Sequence, residues 1–220
     1  MGGVFHPFFV LNFLLLPVVI KIKIMNKVIW VSLSILVLIV ISFIVVSFTS
    51  KNIETPDYKV IKTIDEMEIR LYPKMIVAKT NLSDKSFDNQ GSNGFRTIAG
   101  YIFGGNEKNQ KIAMTSPVVM NMGDSSTMYF VMPKQYKKED LPNPNSKNVQ
   151  IVEETSKVLA VIGYGGFSSD KKIEKYRKEL ESILNKNKIQ TKGNYMYMGY
   201  NAPWDVINRK NEVAIEVVLD

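Results

Sequence analysis

Apolar residues fall along this chain in distinct regimes. Residues 4–20 are nearly all apolar, and residues 28–48 (VIWVSLSILVLIVISFIVVSF) carry neither charge nor proline. A run of that length crosses the roughly 30 Å bilayer core as a helix, at about 1.5 Å per residue. Its polar members are serines, which bond back to their own helix. From residue 57 the pattern changes to short, β-branched, partly alternating stretches at 58–64, 66–72 and 75–80, read as strands. Residues 92–103 then switch to helical spacing. Phe95, Ile98, Ala99 and Ile102 form one stripe behind a Ser92 or Asn93 cap. Gly104-Gly105 ends the helix, because glycine accepts the left-handed conformation of a helix terminus. Strands at 111–120 and 128–132 follow, then a turn-rich bridge at 133–148.

After the bridge the same order recurs. Strands are expected at 149–152 and 158–164, and an amphipathic helix over 171–187 with Ile173, Tyr176, Leu180, Ile183 and Leu184 on one side. Strands at 194–200 and 212–219 close the chain. Val77 answers to Val161 at an offset of 84, while Pro117 to Pro203 and Met128 to Ala214 both give 86. One helix covers one face of each half-sheet, so the other face must be buried against its twin or around a ligand. The expected fold class is α+β. It is a distorted antiparallel β-barrel built from two pseudo-symmetric repeats, about 57–132 and 149–219, with two flanking helices. An N-terminal transmembrane helix precedes it.

Charge orients the first part of the chain. Lys21, Lys23 and Lys27 precede the 28–48 run, whereas Lys51, Glu54 and Asp57 follow it without cationic excess. The positive-inside rule then places everything after residue 48 outside the cytoplasm, as a membrane-anchored domain. A cleavable signal beginning at Met25 is the rival. The exit VSFTSK lacks a small-x-small pair, and the run exceeds a signal core, which favours a retained anchor. Residues 1–27 form an apolar segment with a basic flank, either a second span or sequence upstream of a start at Met25.

The formal net charge is +7. Lys21, Lys23, Lys27 and Lys51 against Glu54 account for +3 of it, and the remaining +4 is dispersed. Scattered lysines on a solvated helix face do not make a nucleic-acid surface. There is no Cys, and the single His, His6, lies in the first apolar run. Disulfides and the Ser/His/Asp and Cys/His nucleophile sets are therefore excluded from the soluble part. No two acids are paired by the sequence for carboxylate hydrolysis. The chain reads as a binding protein, not an enzyme, with a soluble domain expected to be monomeric.

Seven blocks resemble the SOUL-type haem-binding proteins. They are MEIRLYP at 67–73, GFRTIAGYIFGG at 94–105, KIAMTSPV at 111–118, YFVMP at 129–133, LPNPN at 141–145, YNAPW at 200–204 and RKNEV at 209–213. They occur in family order across 57–218. The resemblance implies a distorted β-barrel with two helices, related to GyrI-like small-molecule-binding domains, and binding of haem or another tetrapyrrole in a hydrophobic pocket. Aligned on the glycine pair, the family's helix positions fall on Asn93, Arg96 and Gly100, with Arg96 the cation that suits a propionate. A second basic contact falls on Asp205, which has the wrong sign. The position of the iron-ligating His in some members is Leu71, so no His axial ligand is expected. Met114, Met120, Met122, Met128 and Met132, or Tyr101, Tyr195 and Tyr197, are read either as core fillers or as weak iron ligands. The resemblance to GyrI-like domains supplies another reading, a pocket for other hydrophobic or cationic molecules received by Glu212 or Glu216. A third is a tethered protein-interaction module.

Overall fold

The computed structural model describes residues 25–42, 53–202, 205 and 207–218. The expected segment 1–24, the end of the apolar run at 43–48, Pro203, Trp204 and Leu219 lie outside the described residues. The chain forms two compact units, divided after residue 49. In the first, α1 (Met25–Ser42) has mean hydropathy 2.1 and is long and apolar enough to cross a membrane. Ser34 Oγ donates to the Trp30 carbonyl at 2.9 Å, so this serine is satisfied inside its own helix.

The second unit follows the order β1 (Lys59–Ile64), β2 (Met67–Tyr72), β3 (Met75–Asn81), α2 (Phe87–Ile102), β4 (Val118–Asn121), β5 (Thr127–Val131), β6 (Gln150–Glu154), β7 (Lys157–Gly165), α3 (Asp170–Lys186), β8 (Thr191–Gly199) and β9 (Lys210–Val217). All nine strands join one sheet, in the order β1-β2-β7-β9-β8-β4-β5-β3-β6, and every ladder is antiparallel. The order reads the same from both sides of the β8–β4 seam, once β1 is set aside. The two repeats are thus related by a pseudo-two-fold at that seam. β2 lies on β7 and β6 on β3, so each repeat lends its first strand to the other.

Three sequence expectations change. β1 and β6 end the sheet without pairing to each other among the described residues, so the barrel is a curled, open sheet. Val77 pairs with Val131 and Val161 with Ala214, so Ala214 answers to Val131 rather than Met128. Pro203, matched to Pro117 in the sequence, lies outside the described residues. The strand expected at 111–120 shrinks to β4. Pro117 has no N–H for a ladder, and the preceding segment ties itself to three separate places. Ile112 N donates to Ile102 O at 2.8 Å, Ser116 N to Glu54 O at 2.8 Å, and Thr115 Oγ1 to Val131 O at 2.5 Å.

α2 begins several residues earlier than its apolar stripe implies, because tertiary contacts cap it. Ser86 Oγ accepts from Asn89 N at 3.1 Å. The Asp170 carboxylate, from the start of α3, accepts from Ser86 Oγ at 2.5 Å and Phe87 N at 2.7 Å. Asp88 returns the contact by accepting from Asp170 N at 3.2 Å. The two helix N-termini thus cap each other with carboxylates, where their dipoles favour negative charge. Gly94 is tolerated inside the helix because α2 approaches closely there. A Cβ would lie 2.7 Å from Leu82 Cδ2. The helix ends as the glycine pair predicts. Gly104 takes φ +113°, Gly105 N donates to Gly100 O at 2.8 Å and Gly104 N to Tyr101 O at 3.3 Å, a Schellman end.

The core has two layers. Met67, Ile98, Ile102, Met120, Phe130, Leu180, Leu184 and Val213 are buried between the helices and one sheet face. Tyr72, Val77, Val119, Tyr129, Val131, Leu159, Val161, Met196, Met198 and Ala214 are buried on the opposite face, which carries neither α2 nor α3. Replacing Asp170 by Ala should lower unfolding stability by about 1–2 kcal/mol, the scale of a lost N-cap, since Ser86 Oγ and Phe87 N at the start of α2 lose their acceptor. Chemical denaturation followed by circular dichroism checks this.

Candidate functional site

α2 turns Gly94, Ile98, Ala99, Tyr101 and Ile102 into the core, which leaves Asn93, Arg96 and Gly100 exposed together on its outer face. The structure therefore brings the three sequence-derived positions onto one surface. Nothing lies within 4 Å of where a Gly100 Cβ would stand, so the helix is flat there. Thr97 Oγ1 bonds back to Asn93 O at 2.9 Å, out of the way of this face. Arg96 forms no ion pair among the described residues, unlike Arg70 and Arg177. The C-cap residue Phe103 completes the row. It stands three residues beyond Gly100 and is 60 % exposed. Arg96, Gly100 and Phe103 thus span about 10 Å of helix axis, cation at one end and aromatic ring at the other. Reading Phe103 only as the helix terminus missed it. Its i+3 spacing from Gly100 was the available signal.

The opposite sheet face is not the hollow expected from the sequence. Its side chains meet across the curl and leave a cavity of only ≈ 20 Å³ among Tyr72, Val119, Tyr129, Leu159 and Met198. Ligand pockets for drug-sized molecules run to roughly 300–1,000 Å³. The reason is curvature. Without a helix to cover it, this face is buried only by closing on itself.

At one edge of that face Glu212 is 1 % exposed and Arg70 6 %. Arg70 Nη1 lies 3.0 Å from both Glu212 oxygens, and Tyr200 Oη donates to Glu212 Oε2 at 2.6 Å. Lys210 Nζ is 3.0 Å from Glu212 Oε1. Burial opposes the Arg70 charge, but Glu212, Tyr72 and Glu68 outweigh it and raise its pKa. Burial, and then the Glu212 charge, raise that of Tyr200. Glu212 therefore has its cations already. Glu216 lies in a looser pair, with Lys192 Nζ at 3.6 Å.

A wider cleft, ≈ 570 Å³, opens beside the helix N-termini among Lys85, Met122, Asp170, Glu174, Arg177 and Tyr195. Its Arg177 is committed to Glu174 at 2.6 and 2.7 Å and to Glu181 at 3.2 Å. An acidic rim with its guanidinium spent does not suit a carboxylated ring. Asp205 is turned inward and accepts from Ala202 N at 3.1 Å, so it serves its own loop. The nearby cation is Arg209, held by the Ala202 carbonyl at 3.0 Å and set over the Phe167 ring at 4.6 Å. Leu71 is exposed on β2. Met120, Met128 and Met132 are buried in the layer beneath the helices, with Met114 and Met122 packed against it. Tyr101 and Tyr197 spend their hydroxyls on Pro142 O at 2.9 Å and Asn211 Oδ1 at 2.8 Å.

Two helices on one face of a curled, antiparallel nine-stranded sheet define an α+β domain. The chain belongs to the family described as SOUL heme-binding protein, which it matches over residues 53–216. Heme-binding protein 2 of Homo sapiens is 30% identical over 179 residues, covering 74% of this chain and 86% of that protein. Heme-binding protein 1 of Xenopus laevis is 29% identical over 142 residues, covering 61% and 74%. Among solved structures, the EcmrR C-terminal domain gives a TM-score of 0.55 at 11% identity, over 74% of this chain and 99% of that one. A hydrolase from Listeria innocua gives 0.50 at 11% identity, over 72% and 94%. At that identity the two likenesses concern the fold alone. The SOUL relatives are named for binding.

Burial pushes the Tyr101 hydroxyl up to about 12 from its ordinary 10.0. The folded state thus holds this proton more tightly than the unfolded one, and the associated stability, full below pH 10, is lost as pH rises towards 12. Tyr101→Phe should cost about 1 kcal/mol at neutral pH through the lost hydrogen bond. It should also flatten the fall in stability between pH 10 and 12, measured by denaturation at each pH.

Proposed function

We propose that the chain binds haem or another tetrapyrrole non-covalently on the outer face of α2. The observation that carries this is the exposed row Asn93, Arg96, Gly100 and Phe103 on the helix block that resembles the family, in a chain whose relatives are named for heme binding. Gly100 lets a flat ring approach the helix backbone, Phe103 offers an aromatic edge, and Arg96 meets a propionate through paired N–H donors. Bound tetrapyrrole would supply a metal or a conjugated ring; the chain's own part is burial of one apolar face and orientation through the carboxylates. No residue here is assigned to the iron, because position 71 holds Leu. Binding, not turnover, is the activity.

The second part of the reading is placement. α1 anchors the domain in a membrane, with Lys21, Lys23 and Lys27 on the cytoplasmic side and residues 53–218 outside. An impermeant amine reagent applied to intact cells should label lysines of that domain. Labelling that appears only after lysis would overturn the orientation.

Titration of the full chain in detergent micelles with haem should give a saturable Soret shift. Arg96→Ala should weaken it by about 1–2 kcal/mol, the scale of a charge-assisted hydrogen bond. Gly100→Leu should block it while leaving thermal stability equal or higher, since the site is open and glycine is the poorer helix former. Equal haem affinity in Gly100→Leu would remove the α2 face from consideration. A wild-type spectrum that never shifts would end the tetrapyrrole reading.

A further inference from the structure

The Glu212 neighbourhood has the chemistry of a receptor for an organic cation. The carboxylate is buried, its Oε2 is fixed by the Tyr200 hydroxyl at 2.6 Å, and tyrosine rings wall the space around it. Tyr58 and Tyr72 lie with centroids 5.2 Å apart. The cation that sits there belongs to the chain. Arg70 reaches both Glu212 oxygens at 3.0 Å, places its guanidinium 4.4 Å from the Tyr58 ring centroid, and extends Nη1 to the Tyr72 hydroxyl at 3.3 Å and Nε to Glu68 at 2.7 Å. A carboxylate fork facing a guanidinium, with an aromatic face over it, is how proteins recognise guanidinium groups from outside. Lys210 lies against the same carboxylate and over the Tyr200 ring at 4.2 Å.

Receptor and occupant come from different repeats. Arg70 is on β2, which the first repeat lends across the pseudo-two-fold, whereas Glu212 is on β9, 142 residues later. Strand exchange therefore delivers the cation to the carboxylate. We propose that the helix-free face carries a binding site for a guanidinium or comparable small organic cation, and that Arg70 fills it as an internal ligand, closing it to cations from outside. The proposal stands independently of tetrapyrrole binding on α2, which uses the other side of the sheet.

The test deletes the internal ligand and offers a substitute. Arg70→Ala, made in the full chain in detergent, leaves a guanidinium-sized gap before a buried carboxylate that keeps only the half-exposed Lys210 as its cation, a destabilising state. Thermal midpoints are read by circular dichroism with low-millimolar methylguanidinium chloride against sodium chloride of equal ionic strength. Methylguanidinium should raise the Arg70→Ala midpoint saturably, by several degrees, and leave wild type unmoved. The double variant Arg70→Ala with Glu212→Gln should regain part of the midpoint and show no response. No response in Arg70→Ala, or an equal response in all three proteins, overturns the proposal. Should Arg70→Ala fail to fold alone, refolding yield with the same two salts decides. A gain specific to methylguanidinium supports the site, and equal yields refute it.

Discussion

A sheet has two faces, and this one has a helix layer for only one of them. That constraint shapes the domain. α2 and α3 cover the side bearing Met67, Ile98, Phe130 and Leu180, while the side bearing Val77, Val161, Met198 and Ala214 excludes water by curling on itself. Each buried aliphatic or aromatic side chain contributes roughly 1.5–3 kcal/mol, so leaving the second face open would forfeit a whole layer. The strand exchange that puts β2 on β7 and β6 on β3 pulls the two halves into that curl.

Closure has an electrostatic consequence. A carboxylate at position 212 is carried inside, where an unpaired charge is costly. The exchanged strand brings Arg70 to it. Arg96 keeps its cation at the outer surface of α2, in no ion pair among the described residues. The chain thus spends one arginine on its interior and presents another to solvent, and the two faces of the sheet acquire opposite roles. One is structural and self-satisfied, and the other carries the exposed helix face proposed here as the binding surface.

Much of this was legible in the residues. The stripe of Phe95, Ile98, Ala99 and Ile102 located the core side of α2, while Asn93, Arg96 and Gly100 came from the family resemblance aligned on the glycine pair. The glycine pair marked the helix end, and Gly105 is held there because a Cβ would stand 2.5 Å from the Gly100 carbonyl oxygen. The helix start was not legible. FDNQGSNG is polar and glycine-rich, and what makes it helical is a carboxylate from position 170. The segment 111–117 looked like a strand by composition, yet Thr115 and Ser116 bond to residues 131 and 54. Phe103 was visible only as punctuation until its ring was seen exposed.

Local periodicity, glycine punctuation and the recurring order of strand, helix and strands can be read from neighbouring residues, so the sequence alone determined most element types and their recurrence in two halves. Which strands are exchanged, how far the sheet closes, and whether a buried acid meets its own cation depend on contacts between positions as far apart as 70 and 212. No local pattern encodes those contacts. They follow from burying both faces of one sheet at once, and the tertiary structure decided them.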